Sequence, residues 1–332
     1  MKSKKTYILF LIGIFLLITS CILSITYGAK SVGLSDVYNA ITNKSTDNFN
    51  VNIVKARIPR TIFGIIAGAS LSISGVLMQS ITRNPIADPS ILGVNTGASL
   101  FIVIGIAIFN IQSKFSYIGL SFIGGMLTAV FVYQLASMGR EGATPIKLAI
   151  SGAAVSTALS SIISLVMMPD SSVMTSFRFW QVGSIGGVSM TDVAILLPFF
   201  IIAIVISLLL SRDLDTLLLS EETAKALGLN INRIRILAAV LGVLLCATIT
   251  ALAGPISFIG LMIPHLIRAL IGSKHIPLIL LSGIFGSCIL ILSDILGRIL
   301  GRPGELESGI MTALIGAPVF ILIIRKSKIQ SL

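Results

Sequence analysis

Long apolar stretches dominate the chain, at 7–27, 61–81, 92–110, 117–138, 147–168, 191–211, 236–254, 277–297 and 309–324. A helix needs about 20 mostly apolar residues to cross a bilayer, and each of these stretches approaches that length. A shorter tenth stretch, 256–271, is bounded by Pro255 on one side and by Arg268 and Lys274 on the other, and it counts as a span. The pattern predicts an all-α polytopic membrane protein with about ten transmembrane helices, a single domain over 1–332 and both termini on one side. Lys2, Lys4 and Lys5 open the chain like a signal peptide. The apolar run that follows exceeds the usual 7–15 residues and has no A-x-A site after it, so the first helix is expected to be retained.

Two polar segments stand out. One, about 28–60, is expected as a long outer loop. The other, 212–235, is the longest inner segment and predicts a short helix of its own. Ser220 suits the N-cap, Glu221 and Glu222 suit the positive first turn, and Gly228 suits the left-handed stop. Leu227 and Leu229 give this helix an apolar edge. So short a helix is marginal alone in water and must pack on something, either the chain's own helix ends or a separate subunit.

Inside the spans, ionisable groups are nearly absent. Asp294 lies near one helix end and Asp192 begins another. A proton-coupled transporter needs a titrating group deep in its bundle, and an ion channel commonly rings its pore with charge or ordered carbonyls. Neither pattern is present. Gly64, Gly68 and Gly75 share a face of the second span, with Ser70 and Ser74 beside it, which predicts tight helix packing. Pro198 and Pro318 lie within spans, and Gly254-Pro255 breaks the chain before the tenth stretch.

Composition sharpens the exclusions. Apolar residues make up 55% and charged residues 11%, against about 25% charged in soluble domains. An ordinary cytosolic enzyme, a disulfide module and a disordered chain are excluded. The net charge of +11 reads as loop anchoring rather than nucleic-acid binding. With the N-terminus inside, 15 of the 24 Lys and Arg fall on the inner side and 9 on the outer, as the positive-inside rule favours. No G-x-x-x-x-G-K-[ST] loop is present, so this chain cradles no ATP. Cys21, Cys246 and Cys288 are scattered through apolar runs, and His265 and His275 are too few for a multi-histidine metal site. No catalytic constellation emerges. The chain reads as a pathway without an energy source of its own.

Six ordered motifs carry a resemblance: RIPRT at 57–61, NPIADPSILGVNTGA at 84–98, FWQVGSIGGV at 179–188, EETAKALGLN at 221–230, GPISFIGLMIPHLIR at 254–268 and GAPVFI at 316–321. Together they resemble the FecCD-type permeases of bacterial ATP-binding-cassette (ABC) importers, which take up iron-siderophores, haem and cobalamin. The resemblance implies a type II importer permease fold in the bacterial cytoplasmic membrane, surrounded by lipid. It implies a second permease subunit, identical or related, two cytosolic ATPase subunits that hold the ATP and Mg²⁺, and an external substrate-binding protein. It implies no cofactor or metal in this chain. Glu221, Glu222, Ala224, Leu227, Gly228 and Leu229 would form the coupling helix that contacts the ATPase. Arg57, Arg60 and Arg298 would pair with acidic residues of the binding protein, as exposed guanidinium groups can. Thr144, Pro145 and Ile146 would lie at the inner gate, where Pro145 departs from the family's small hydroxyl residues. Glu307 replaces a proline common in the family and is expected to bring a carboxylate near Arg298. A ferric siderophore is the expected cargo, with haem or cobalamin as the alternative and a secondary transporter as the alternative from another class.

Overall fold

The computed structural model describes residues 2–42, 49–85, 87–111, 113–138, 144–169, 174, 180–219 and 221–326. All ten expected stretches carry a helix: α1 (Lys2–Thr26), α3 (Phe49–Thr82), α4 (Val94–Phe109), α5 (Lys114–Ser137), α6 (Pro145–Met167), α7 (Met190–Leu209), α10 (Ile231–Ala253), α11 (Ile259–Ile271), α12 (His275–Leu300) and α13 (Ser308–Lys326). Seven are long and apolar enough to cross a membrane, and Val94–Phe109, Ile259–Ile271 and Ser308–Leu322 are shorter apolar helices. The described residues between them include three further α-helices and a 3₁₀ turn, η1 (Pro89–Leu92): α2 (Leu34–Ile41), α8 (Ser211–Leu217) and α9 (Glu221–Ala226).

The supposed outer loop is largely helical, which corrects the expectation for 28–60. α2 fills part of it, and α3 begins at Phe49, well before the apolar run at residue 61. The reason is a small core of its own. Val51 and Val54 are fully buried with Val32 and Ala40, and Ile25, Val37, Ile53 and Ile58 pack around them. One turn-by-turn apolar stripe on an otherwise polar helix is enough to hold it, and a test for uniform hydropathy passes over it.

α3 is the centre of the bundle and packs against α12, α10 and α11. It begins at one end of the molecule, here the rim, and finishes at the other, here the elbow, where α8 and α9 lie. A helix of 34 residues is about 51 Å long. The glycine face read from the sequence is what lets the neighbours approach. A Cβ at Gly75 would overlap the carbonyl oxygen of Gly260 in α11, and one at Gly68 would overlap the backbone of Gly286 in α12. Hydroxyls add hydrogen bonds between helices: Ser74 of α3 donates to Gly242 O of α10 at 2.5 Å, Ser287 of α12 to Ile65 O of α3 at 2.6 Å and Ser121 of α5 to Ala247 O of α10 at 2.7 Å.

Two irregular segments cross inside the bundle. Residues 182–189 lack helical structure and lead into α7, and residues 254–257 separate α10 from α11. The first is tied to the last carbonyl of α10 and to the start of α13. Ser184 N donates to Ala253 O at 2.7 Å, and Gly309 N donates to Gly183 O at 2.8 Å. Ile185 N donates to Ser308 Oγ at 3.1 Å. Asp192 closes a capping box with Ser189 at the start of α7, so this acid has a local structural role.

Gly75→Leu is expected to destabilise the protein by about 3 kcal/mol or more, because no side chain can yield on the Gly260 side. Gly119→Ala, which meets nothing within 4 Å, is expected to be neutral or slightly stabilising. Thermal unfolding of the detergent-solubilised chain, followed by loss of its monodisperse peak, checks the contrast.

Candidate functional site

The functional residues read from the sequence fall at the two ends of α3. At the rim, Arg57, Arg60 and Arg298 come together. Their environment is not that of free surface cations. Arg57 is 8% exposed and Arg298 1%. Arg57 Nη1 donates to Ile25 O at 2.9 Å and to Thr26 O at 3.2 Å, and Nη2 donates to Lys30 O at 2.6 Å. Arg298 Nη1 donates to Ser24 O at 3.0 Å and to Tyr27 O at 3.1 Å, while Nη2 reaches Ser24 Oγ at 3.1 Å. These acceptors are the last carbonyls of α1 and the turn after it. A helix end leaves four carbonyls without partners, and a cation there also meets the negative end of the helix dipole. The two guanidinium groups therefore cap α1 from α3 and α12, a correction to their expected exposure.

Arg60 stands differently. Its Nε and Nη2 clasp the buried Asp294 carboxylate, with Nη2–Oδ1 at 2.7 Å. Its remaining edge, Nη1, holds Glu305 Oε2 at 2.7 Å. Asp294 is 1% exposed and Glu305 42%. Asp294 also pairs with Arg298 Nε at 3.0 Å, one turn along α12. The rim cluster thus holds three arginines and two carboxylates. The acid expected near Arg298 was Glu307. Arg298 instead pairs with Asp294, and the carboxylate that the 301–307 turn brings to an arginine is Glu305. Glu307 immediately precedes α13, with its carbonyl accepting from Ile310 N and Met311 N.

At the elbow, α9 covers Glu221–Ala226, close to the helix read from the sequence; its expected N-cap, Ser220, lies outside the described residues. Its stop is a Schellman motif. Gly228 has φ of +82°, Gly228 N donates to Lys225 O at 2.9 Å, and Leu229 N donates to Ala224 O at 3.0 Å, the pairing such a stop requires. Ala224 is fully buried in the main core, so it anchors α9 to α8 and α10 instead of facing outward. Glu222, Leu227 and Gly228 are exposed. Beside them a notch of about 440 Å³ is lined by Lys225, Gly228, Leu229, Asn230, Ile231 and Asn232.

The expected gate residues share the elbow end. Thr144 caps α6, accepting from Lys147 N at 3.3 Å. Pro145 is the first helical residue, a position where its missing N–H costs nothing. Ile146 is exposed. The next turn, at Leu148 and Ala149, faces Met78 and Thr82 at the end of α3.

Sequence reading missed two polar groups. Asp88 in the 84–98 motif is buried and accepts from Ser90 N at 2.9 Å and Ser90 Oγ at 2.5 Å. Burial pushes its carboxyl above the usual range, and the two Ser90 hydrogen bonds oppose that. It abuts Gly260 at the start of α11, whose positive end favours an acid. Asn95 Oδ1 accepts from Thr250 Oγ1 at 3.0 Å and from Cys246 Sγ at 3.2 Å, which gives that cysteine a hydrogen bond besides its packing. Among the described residues, no group of three or more His, Cys, Asp or Glu could hold a metal ion.

Removing Asp294 leaves the buried Arg298 without its carboxylate and the part-buried Arg60 with Glu305 alone. Asp294→Ala is expected to destabilise the protein by about 3–5 kcal/mol, and Glu305→Ala by less than about 1 kcal/mol because its pair is solvent-screened. Thermal unfolding of both variants separates the buried member of the cluster from the exposed one.

Comparison with known proteins agrees with this architecture. The probable siderophore transport system permease protein YfiZ of Bacillus subtilis (strain 168) is 37% identical over 325 residues, 98% of each chain. The ferric enterobactin transport system permease protein FepD of Escherichia coli (strain K12) is 38% identical over 314 residues, 94% of this chain and 93% of that one. A solved structure described as an inward-facing metal-chelate type ABC transporter superposes with a TM-score of 0.80 at 29% identity, covering 98% of this chain and 100% of the other. Residues 16–326 match the FecCD transport family, and the chain, a multi-pass permease of the cell membrane, belongs to that family.

Proposed function

We propose that this chain is the membrane-spanning permease subunit of an ATP-driven importer whose cargo is a ferric siderophore. The observation that carries the proposal is an exposed elbow helix with a Schellman stop, standing at one end of a membrane bundle of the FecCD family. Two relatives with siderophore in view, YfiZ and FepD, favour that cargo over haem or cobalamin. The rest of the assembly follows the family: a second permease subunit, cytosolic ATPase subunits that hydrolyse ATP with Mg²⁺, and an external binding protein that delivers the chelate. The elbow end then faces the cytoplasm with both termini, and the rim faces outward.

In this reading α9 is the coupling helix. Its outward surface is Glu222, Leu227 and Gly228, with Glu221 opening the helix, Leu229 half-buried at its end and Ala224 holding it to the bundle. The adjoining notch offers a concave polar surface to the ATPase. Thr144–Ile146, at the start of α6 and the same end of the bundle, is the proposed inner gate.

Docking of the binding protein falls to the rim. Arg60 supplies the accessible guanidinium edge there. Arg57 and Arg298 add positive field and hold the frame that aims it. Glu305 occupies that edge in the free chain, so a carboxylate of the binding protein would exchange with it. Such exposed charge governs encounter rate and salt dependence more than it governs final affinity.

Reversal of both elbow acids, Glu221→Arg with Glu222→Arg, is expected to abolish ATP-dependent uptake while leaving the permease folded in the membrane. Uptake of radioiron into vesicles reconstituted with the ATPase measures this, and unchanged uptake would remove the coupling assignment. At the rim, Glu305→Gln is expected to tighten binding-protein docking several-fold at low salt, and Arg60→Gln to weaken it. Surface-immobilised permease titrated with the binding protein reads both, and equal affinities for all three chains would remove the docking assignment.

A further inference from the structure

One side-chain cluster at the elbow, with His275 buried and Asp215 partly exposed, has no part in the scheme so far. Asp215 in α8 accepts two hydrogen bonds at Oδ1, from His275 N at 2.8 Å and from His275 Nδ1 at 2.7 Å. His275 Nε2 meets Ser80 Oγ of α3 at 2.7 Å, and Ser80 Oγ also contacts Val76 O at 2.7 Å. His275 is 1% exposed and is the first residue of α12. The residue in the N-cap position, Lys274, makes no side-chain cap. Asp215 therefore supplies the cap from another helix, where a carboxylate also meets the positive end of the dipole. A carboxylate accepts only, so the Nδ1–H points at Asp215, and the ring is held with Nε2 toward α3. A fourth strand of this joint is Arg83, whose Nη2 donates to Leu217 O at 2.9 Å.

The cluster joins three elements at one point: α8, the start of α12 and the end of α3. α8 leads directly into α9, and the two helices pack together. The antiparallel pair α3–α12 is in turn bolted at its far end by Arg60 and Asp294. From Ser80 to Arg60, and from His275 to Asp294, is about 30 Å of helix. Between the two bolts the backbones touch at Gly68 and Gly286. The pair has a polar lock at each end, and in the middle direct backbone contact and a hydrogen bond from Ser287 Oγ to Ile65 O, which makes it a stiff strut between elbow and rim.

We propose that Asp215 and His275 are positioning residues that transmit movement between α9 and the α3–α12 strut, so that docking at the rim alters ATP hydrolysis at the elbow. The proposal rests on the coupling and docking assignments above. Asp215 touches neither partner; it acts through α8 and His275. Breaking the joint frees α9 to move without dragging the strut.

The test uses the whole complex, permease with its ATPase and its binding protein, and measures ATP hydrolysis with and without the binding protein. Asp215→Ala is expected to keep basal hydrolysis within about twofold and to lose most of the stimulation. Asp215→Asn retains an oxygen that can accept both His275 N–H groups, and is expected to restore stimulation. Ser80→Ala removes the α3 leg by deleting one atom, and is expected to give a partial loss; it carries the test if Asp215→Ala does not assemble. A purely structural role would lower yield or melting temperature and leave the ratio of stimulated to basal rate unchanged in the folded complex, and that outcome overturns the proposal. A wild-type complex whose hydrolysis ignores the binding protein would instead sink the docking assignment, and a responsive wild type with equally responsive Asp215→Ala and Ser80→Ala variants sinks the joint alone.

Discussion

Hydrocarbon offers no hydrogen-bond partner, so every backbone N–H and C=O within the membrane must be satisfied inside the protein. That constraint explains more of this molecule than its apolar packing does. It makes the spans helical, and then demands an answer wherever a helix starts or stops below the surface. At the end of α1 the answer is two arginines from other helices, which take the carbonyls of residues 24–27 and 30. At the start of α12 it is Asp215. Where residues 182–189 leave helical geometry, part of the answer is the last carbonyl of α10 and the start of α13.

The same residues serve the proposed function because of where those answers fall. A guanidinium group with five donors can cap a helix and still hold an acid. Arg57 and Arg298 spend their Nη donors on α1, and Arg60 divides its own between Asp294 and Glu305. The rim therefore displays a graded set: two committed arginines, one arginine with an exchangeable edge, and one acid in water. A surface built this way keeps its positive field fixed while exposing a single replaceable contact.

Much of the fold was legible in the chain's own pattern. Ten apolar stretches became ten helices, Gly64–Gly75 became the close face of α3, and the Glu221–Gly228 run became a helix with the stop its glycine implied. What stayed hidden shares a physical cause. α2 and the first turns of α3 are amphipathic, with Val51 and Val54 as the only continuous signal. α8 has seven residues, too few for a periodicity to show. The pairs Arg60–Asp294 and Asp215–His275 join residues 234 and 60 positions apart, and no local rule reaches that far. The three arginines gather at one end of the bundle, but their exposure depended on the unpaired carbonyls of α1, which sequence alone does not position beside them. Ala224 faced inward because α8, unseen in the pattern, lay beneath it.

A bundle whose charges, among the described residues, gather towards its two ends is suited to relaying work. Ionisable groups at mid-depth would give a passing chelate fixed sites to bind, and each would need a partner in a low-dielectric medium. Confining them to the ends avoids both demands and leaves the interior to glycine contacts and hydroxyls that return to the chain's own carbonyls, such as Ser74 to Gly242 and Ser287 to Ile65. Stiffness then comes from close backbone approach, and control comes from locks at the ends of one antiparallel pair. An energy source acting on α9 would have a continuous hard path to the rim through Asp215, His275, α12 and Asp294. Any motion that opens the bundle must therefore either carry α3 and α12 together or break a buried ionic contact at one of their ends.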